Sequence, residues 1–96
     1  MREDFIDVYD KVLRTWGIES QNRMCIEEMS ELIKELCKLE RYRGTGKEIE
    51  IICNIKEELA DVLNMVEQLE RFYGEEEIES IRRAKIDRLL SKNKFD

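Results

Sequence analysis

The chain has 96 residues, a length that predicts one domain, spanning residues 1–96, with a modest core. Hydrophobic and charged residues each make up 42% of the sequence, and proline is absent, a composition that favours a soluble all-α fold. The net charge of −6 disfavours a nucleic-acid polymer or an anionic membrane as the main partner, because both are negatively charged. A small polyanionic substrate would need a metal ion to approach this surface.

The sequence also predicts a cytoplasmic location. It has no run of 18 apolar residues, and its first ten residues lack the basic and apolar regions of a secretory signal. Cys25, Cys37 and Cys53 are odd in number and form no C-x-x-C motif, so we expect reduced, mostly buried thiols.

The first half of the chain predicts two helices. Apolar residues at three- and four-residue steps indicate a helix over 3–15, which Gly17 ends. Trp16, beside that glycine, either covers the core or offers a stacking surface for a nucleobase. Ser20 is the expected N-cap of a second helix that stops near Arg43. The glycine-rich turn that follows does not match a phosphate-binding loop, because it lacks the required glycine and hydroxyl positions.

The second half predicts two more helices, over 47–72 and 75–92, separated by Gly74. The third helix is apolar over more than half of its circumference and therefore needs partners on two sides, which favours a homo-oligomer. Its expected inward residues are Ile49, Ile52, Ile55, Leu59, Val62, Val66, Leu69 and Phe72.

Two acidic pairs stand at helical i,i+3 spacing, Glu28 with Glu31 and Glu58 with Asp61. The 23 acidic residues of the chain would give about five such pairs by chance, so spacing alone is weak. These pairs differ from the others because the i+4 neighbours of Glu28, Glu58 and Asp61 are apolar rather than basic. Carboxylates that border a buried stripe and repel each other need a partner, and a bound cation is one.

The absence of histidine excludes Ser-His-Asp and Cys-His triads, the H-E-x-x-H zinc site and the Glu-x-x-His di-iron site. Carboxylate ligands without a soft donor favour a hard cation, which predicts Mg²⁺ with Mn²⁺ as a possible substitute.

The segments EMSE, beginning at Glu28, and ELAD, beginning at Glu58, are each preceded by another glutamate. They resemble the E-x-x-E and E-x-x-D signature of the MazG-like all-α nucleoside triphosphate pyrophosphohydrolases. WGIESQ before the first motif, DVLNM after the second and a final helix with Lys85 extend the resemblance over most of the chain. It implies a four-helix bundle that forms dimers or tetramers, and Mg²⁺-dependent cleavage of nucleoside triphosphates between the α- and β-phosphates.

The resemblance also implies roles for individual residues. The implied metal ligands are Glu28, Glu31, Glu58 and Asp61. Lys85, with Arg88 and Lys92, is the implied phosphate contact, although Lys92 stands where the family often has arginine. Glu27 and Glu57 are candidates to orient or deprotonate the attacking water, with a surface pair to Arg23 as the alternative for Glu27. Asn64 would support the ligands from one turn beyond Asp61, and Trp16 would contact the base.

Two alternatives to this function remain open at the level of sequence. One is a non-catalytic helical interaction module whose acidic residues are only solvated. The other is a phosphoribosyl-ATP or dUTP-type hydrolase of the same superfamily, which would share the metal site and differ in the base pocket.

Overall fold

A computed structural model describes residues 3–93 of the chain, and these residues form three α-helices. Helix α1 is Glu3–Tyr42, α2 is Glu48–Tyr73 and α3 is Glu75–Asn93. The all-α prediction is confirmed for this part of the chain. Within it, no helix is long and apolar enough to cross a membrane.

Helix α1 contains the break that the sequence predicts at Gly17. This glycine has φ 81° and ψ 159°, a left-handed backbone conformation that residues with a Cβ atom rarely adopt. The two predicted helices thus lie on either side of a kink within α1, and Ser20 is three residues past it.

A short turn joins α1 to α2. The Thr45 hydroxyl donates to the Tyr42 carbonyl at 2.6 Å, and the Gly44 amide donates to Glu48 Oε2 at 2.8 Å. These bonds satisfy backbone groups at the end of one helix and the start of the next. The turn thus directs α2 back along α1, and the two helices form an antiparallel pair. The predicted helix–helix turn is present.

The segment of α1 before Gly17 lies against the C-terminal half of α2. The Tyr9 hydroxyl donates to Glu67 Oε2 at 2.7 Å. Arg71 donates to both carboxylate oxygens of Asp10, at 2.6 and 3.0 Å, and this pairing holds the pKa of the Asp10 carboxyl below its usual range. These contacts fix the segment of α1 before the kink to the C-terminal half of α2.

The core between α1 and α2 is thin. Its buried apolar side chains are Tyr9, Cys25, Ile51 and Ile55. The predicted inward face of α2 is wrong in part, because Ile49 is 78% exposed and Ile52, Leu59 and Phe72 are also exposed. Among the described residues only α1 packs along the length of α2, so apolar side chains on the remaining sides stay in contact with solvent.

Helix α3 leaves this pair at Gly74 and packs on α2 only near that residue. The side chains from Glu79 to Lys92 are all exposed. The chain has an accessible surface of 7722 Å², against about 5800 Å² for a compact monomer of this mass. Its radius of gyration is 16.7 Å rather than about 12.5 Å. The described helices of one chain thus do not close into a four-helix bundle.

All three cysteines are free thiols. Cys25 is buried, but Cys37 and Cys53 are exposed, so the prediction of mostly buried thiols is wrong for two of them. Both lie on helix faces that no described element covers.

Candidate metal centre

Three carboxylates from two helices converge where α1 and α2 run side by side. Glu28 comes from the segment of α1 after the kink, and Glu58 and Asp61 come from one face of α2. One carboxylate oxygen from each residue lies within 4.8 Å of the other two. The antiparallel pairing of the helices therefore joins the two acidic motifs that are 30 residues apart in the sequence.

The cluster is partly removed from solvent. Glu28 and Glu58 are half-buried and Asp61 is exposed. Glu58 Oε2 is buried and accepts no hydrogen bond from the described residues. An unsatisfied buried acceptor destabilises the folded chain, and a cation or an ordered water molecule at this oxygen would relieve that cost.

Electrostatic repulsion within the cluster points the same way. Burial, followed by the charges of Asp61 and Glu58, raises the pKa of the Glu28 carboxyl above its ordinary value. Burial, followed by the charges of Asp61 and Glu31, raises the pKa of Glu58. Both shifts mean that the folded chain disfavours the negative charges that it collects here, and a positive ion would reverse that preference.

The remaining acidic residues named from the sequence surround this centre. Glu31 is exposed and is not one of the three converging carboxylates, but its charge acts on Glu58. Glu27 and Glu57 are exposed beside Glu28 and Glu58, and their charges add to the repulsion on those neighbours. The structure thus brings together three of the four implied ligands and places the fourth within electrostatic range.

Sequence reasoning missed Glu35, which is only 6% exposed. Its carboxylate accepts a hydrogen bond from Asn54 Nδ2 at 3.0 Å and pairs with Lys38 Nζ at 3.2 Å. Its charge also raises the pKa of Glu58. The signal that could have found it is its position one turn after Glu31 on the same face of α1.

The other residues predicted for the site are not among the three converging carboxylates. Within residues 3–93, no hydrogen bond or ion pair joins Lys85, Arg88 or Lys92 of α3 to these carboxylates. Trp16 is 62% exposed at the kink of α1. Asn64 is exposed and borders a groove between α1 and α2.

The chemistry of the donors fits a hard divalent cation. Mg²⁺ prefers oxygen ligands and is commonly held by a few carboxylates together with waters and substrate phosphates. Glu28, Glu58 and Asp61 offer such a set, with one buried oxygen that lacks a partner.

Comparisons of this chain with protein-family models, curated proteins and solved structures give no match.

The raised pKa values predict how pH and Mg²⁺ act together on stability. Because the folded chain raises the pKa of Glu28 and Glu58 above 4.5, their charged forms weaken folding at neutral pH, and this penalty disappears as the pH falls through the raised values. A bound cation offsets the same penalty. We therefore expect Mg²⁺ to raise Tm clearly near neutral pH and much less near pH 4.5.

Thermal unfolding with and without Mg²⁺ at each pH measures this difference. Comparison at a fixed pH cancels the separate loss of the Asp10–Arg71 pair in acid, since the low pKa of Asp10 makes that pair weaken as the pH falls. An equal Mg²⁺ effect at both pH values would contradict the assignment of the cation to these carboxylates.

Proposed function

We propose that the chain is a Mg²⁺-dependent nucleotide pyrophosphohydrolase that cleaves nucleoside triphosphates between the α- and β-phosphates. The observation that carries the proposal is the convergence of Glu28, Glu58 and Asp61 from two helices, with one oxygen of each within 4.8 Å of the others. The order and spacing of the two motifs agree with the resemblance to the MazG-like enzymes. We also propose Mn²⁺ as a substitute for Mg²⁺.

In this proposal Glu28, Glu58 and Asp61 would hold the cation, with Glu31 as a fourth ligand. When bound, a divalent cation polarises a phosphoryl oxygen and lowers the pKa of a coordinated water. Glu57 and Glu27 border the ligands, so one of their carboxylates accepts the proton of the attacking water. The products are a nucleoside monophosphate and pyrophosphate.

Among residues 3–93, no lysine or arginine forms an ion pair with Glu28, Glu58 or Asp61 that could also serve the leaving pyrophosphate. We assign that role to Lys85, with Arg88 and Lys92, on the exposed part of α3. These cations would reach a centre when copies of the chain assemble, because α3 packs on its own α2 only near Gly74. A contact of this kind would share the negative charge that develops as the phosphate bond breaks.

We propose a homo-oligomer, a dimer or a tetramer, in which second copies complete the four-helix bundle. The excess accessible surface of the single chain and the exposed apolar side chains of α2 and α3 support it, since apolar faces of this extent are usually covered by a partner. The free thiols fit the reducing cytoplasm that the sequence favours.

The position of the cleaved phosphate bond tests this function. We expect wild-type protein with Mg²⁺ to convert a nucleoside triphosphate to the monophosphate and pyrophosphate in one step. Phosphorus NMR identifies the products as they form. A panel of common and deaminated triphosphates, with dUTP and phosphoribosyl-ATP included, separates the related hydrolases from one another. Nucleoside diphosphate and inorganic phosphate as first products would contradict the proposed cleavage, and no reaction with any nucleotide would favour the interaction module.

A further inference from the structure

A narrow groove runs beside the acidic centre, between the first segment of α1 and the C-terminal half of α2. It encloses about 350 Å³. Phe5, Val8, Tyr9 and Val12 of α1 form one wall, and Met65 of α2 forms part of the other. The rings of Phe5 and Tyr9 meet edge to face with centroids 6.2 Å apart, so the wall presents a continuous apolar and aromatic surface.

Two amide side chains, those of Asn64 and Gln68, interrupt this apolar lining, and Asn64 is exposed. Gln68 lines the groove and is only 4% exposed. Its Oε1 atom is buried and accepts no hydrogen bond from any described residue. A buried amide oxygen without a donor destabilises the fold, and a ligand that supplies the donor would relieve this cost.

The groove and the acidic centre share one face of α2. Met65 and Gln68 follow Asp61 by one and two helical turns, at about 6 and 10 Å along the helix axis. A molecule whose phosphates lie at Asp61 therefore extends its remaining part along Met65 toward Gln68. The groove has a largely apolar lining with one buried amide, Gln68, and these properties suit a heterocyclic base.

We propose that this groove binds the nucleobase of the substrate and that the Gln68 amide forms the hydrogen bonds that read it. The inference rests on the proposed nucleotide hydrolysis and adds the residue that sets base recognition. The Gln68 amide forms a hydrogen bond with the base, while Met65 and the wall formed by Phe5 and Tyr9 contact the ring. Trp16 does not line this groove.

The test compares a nucleotide with inorganic tripolyphosphate, which has the phosphates and no base. In Gln68→Met the side chain keeps its length and loses its polar atoms. We measure kcat/KM for the four common deoxynucleoside triphosphates and expect the value for the best substrate to fall roughly tenfold, because one buried hydrogen bond is lost. Hydrolysis of tripolyphosphate should be unchanged. An equal effect on both substrates, or no effect on either, would overturn the proposal.

Gln21→Met is the matched control, because Gln21 is also a buried glutamine but does not line the groove. It should leave the ratio of nucleotide to tripolyphosphate hydrolysis as in the wild type. Val8→Trp provides a second variant at an exposed wall position, and the added ring should fill the groove and weaken nucleotide hydrolysis alone. If Val8→Trp instead dissociates an oligomer in light scattering, the groove holds a second copy and the proposal is wrong.

The two proposals fail in different ways. A wild-type protein that hydrolyses neither a nucleotide nor tripolyphosphate contradicts the proposed function. In that case NMR of the Gln68 side-chain amide, titrated with deoxynucleosides that carry no phosphate, tests the groove directly. A shift of that resonance, absent in the Val8→Trp variant, supports base binding, and an unmoved resonance overturns it.

Discussion

Replacing Asp61 with asparagine, or Glu58 with glutamine, is expected to lower turnover at least about a hundredfold and to weaken Mg²⁺ binding. Each change removes a negative ligand from the cation and keeps the size of the side chain. Both residues belong to the cluster in which one oxygen of each carboxylate lies within 4.8 Å of the others. Steady-state kinetics over a range of Mg²⁺ concentrations measures the two effects together.

Glu50→Gln is the matched control for charge, because Glu50 is an exposed acid on the same helix and is not one of the clustered residues. It should retain nearly wild-type turnover. The variants also separate loss of a ligand from loss of the fold. Without metal, Glu58→Gln should be at least as stable as the wild type. Burial and repulsion raise the pKa of the Glu58 carboxyl, so its negative charge destabilises the fold, and the substitution removes that charge. Wild-type turnover in both site variants would remove these residues from the mechanism.

Truncating Ile55 to alanine is expected to lower the free energy of unfolding by about 2–5 kcal/mol. Ile55 is one of four buried apolar side chains between α1 and α2, so its truncation removes a large part of a small core. Ile55 lies about one turn before Glu58 on the same face of α2, so its packing also supports the position of that carboxylate. The variant should therefore bind Mg²⁺ more weakly, and saturating Mg²⁺ should restore part of its stability.

Ile49→Ala makes the same chemical change on the same helix at a position that is 78% exposed. If Ile49 stays outside the proposed oligomer interface, its effect should stay within about 0.5 kcal/mol of the wild type. Denaturant unfolding of the three proteins gives these free energies. Equal destabilisation by both substitutions would mean that Ile49 is buried in solution, and an oligomer interface on that side of α2 would explain it.

The helices could be predicted from the sequence because their ends depend on local chemistry. The sequence predicts helices over 47–72 and 75–92, and the structure has them at Glu48–Tyr73 and Glu75–Asn93. Gly17, Gly44 and Gly74 all adopt positive φ, at the kink and at the two helix ends. These features need no knowledge of the partner helix.

The inward face of α2 could not be predicted in the same way. Its sequence is apolar on several sides, and periodicity alone does not say which side meets α1. Ile51 is buried and Ile49 is not, because the antiparallel approach of α1 selects one face. For the same reason the sequence did not specify where α3 and Lys85 lie relative to the acidic centre.

The residues of the candidate site also differ in whether the sequence could predict them. Glu28, Glu58 and Asp61 could be selected because their neighbours one turn away are apolar, and the structure brings these three together. Glu35 and Gln68 were missed because a polar residue in a helical pattern predicts exposure, whereas tertiary packing buries both. A hidden polar residue of this kind is visible only when the facing helix is in place.

Direct counting of bound Mn²⁺ tests the central claim, that Glu28, Glu58 and Asp61 form a divalent-cation site. Electron paramagnetic resonance of free Mn²⁺ in a titration gives the number of ions bound by the wild type, Asp61→Asn and Glu50→Gln. We expect saturable binding of at least one ion per chain in the wild type and in Glu50→Gln, competition by Mg²⁺, and much weaker binding in Asp61→Asn. Equal binding by the three proteins, or no saturable binding by the wild type, would contradict the assignment.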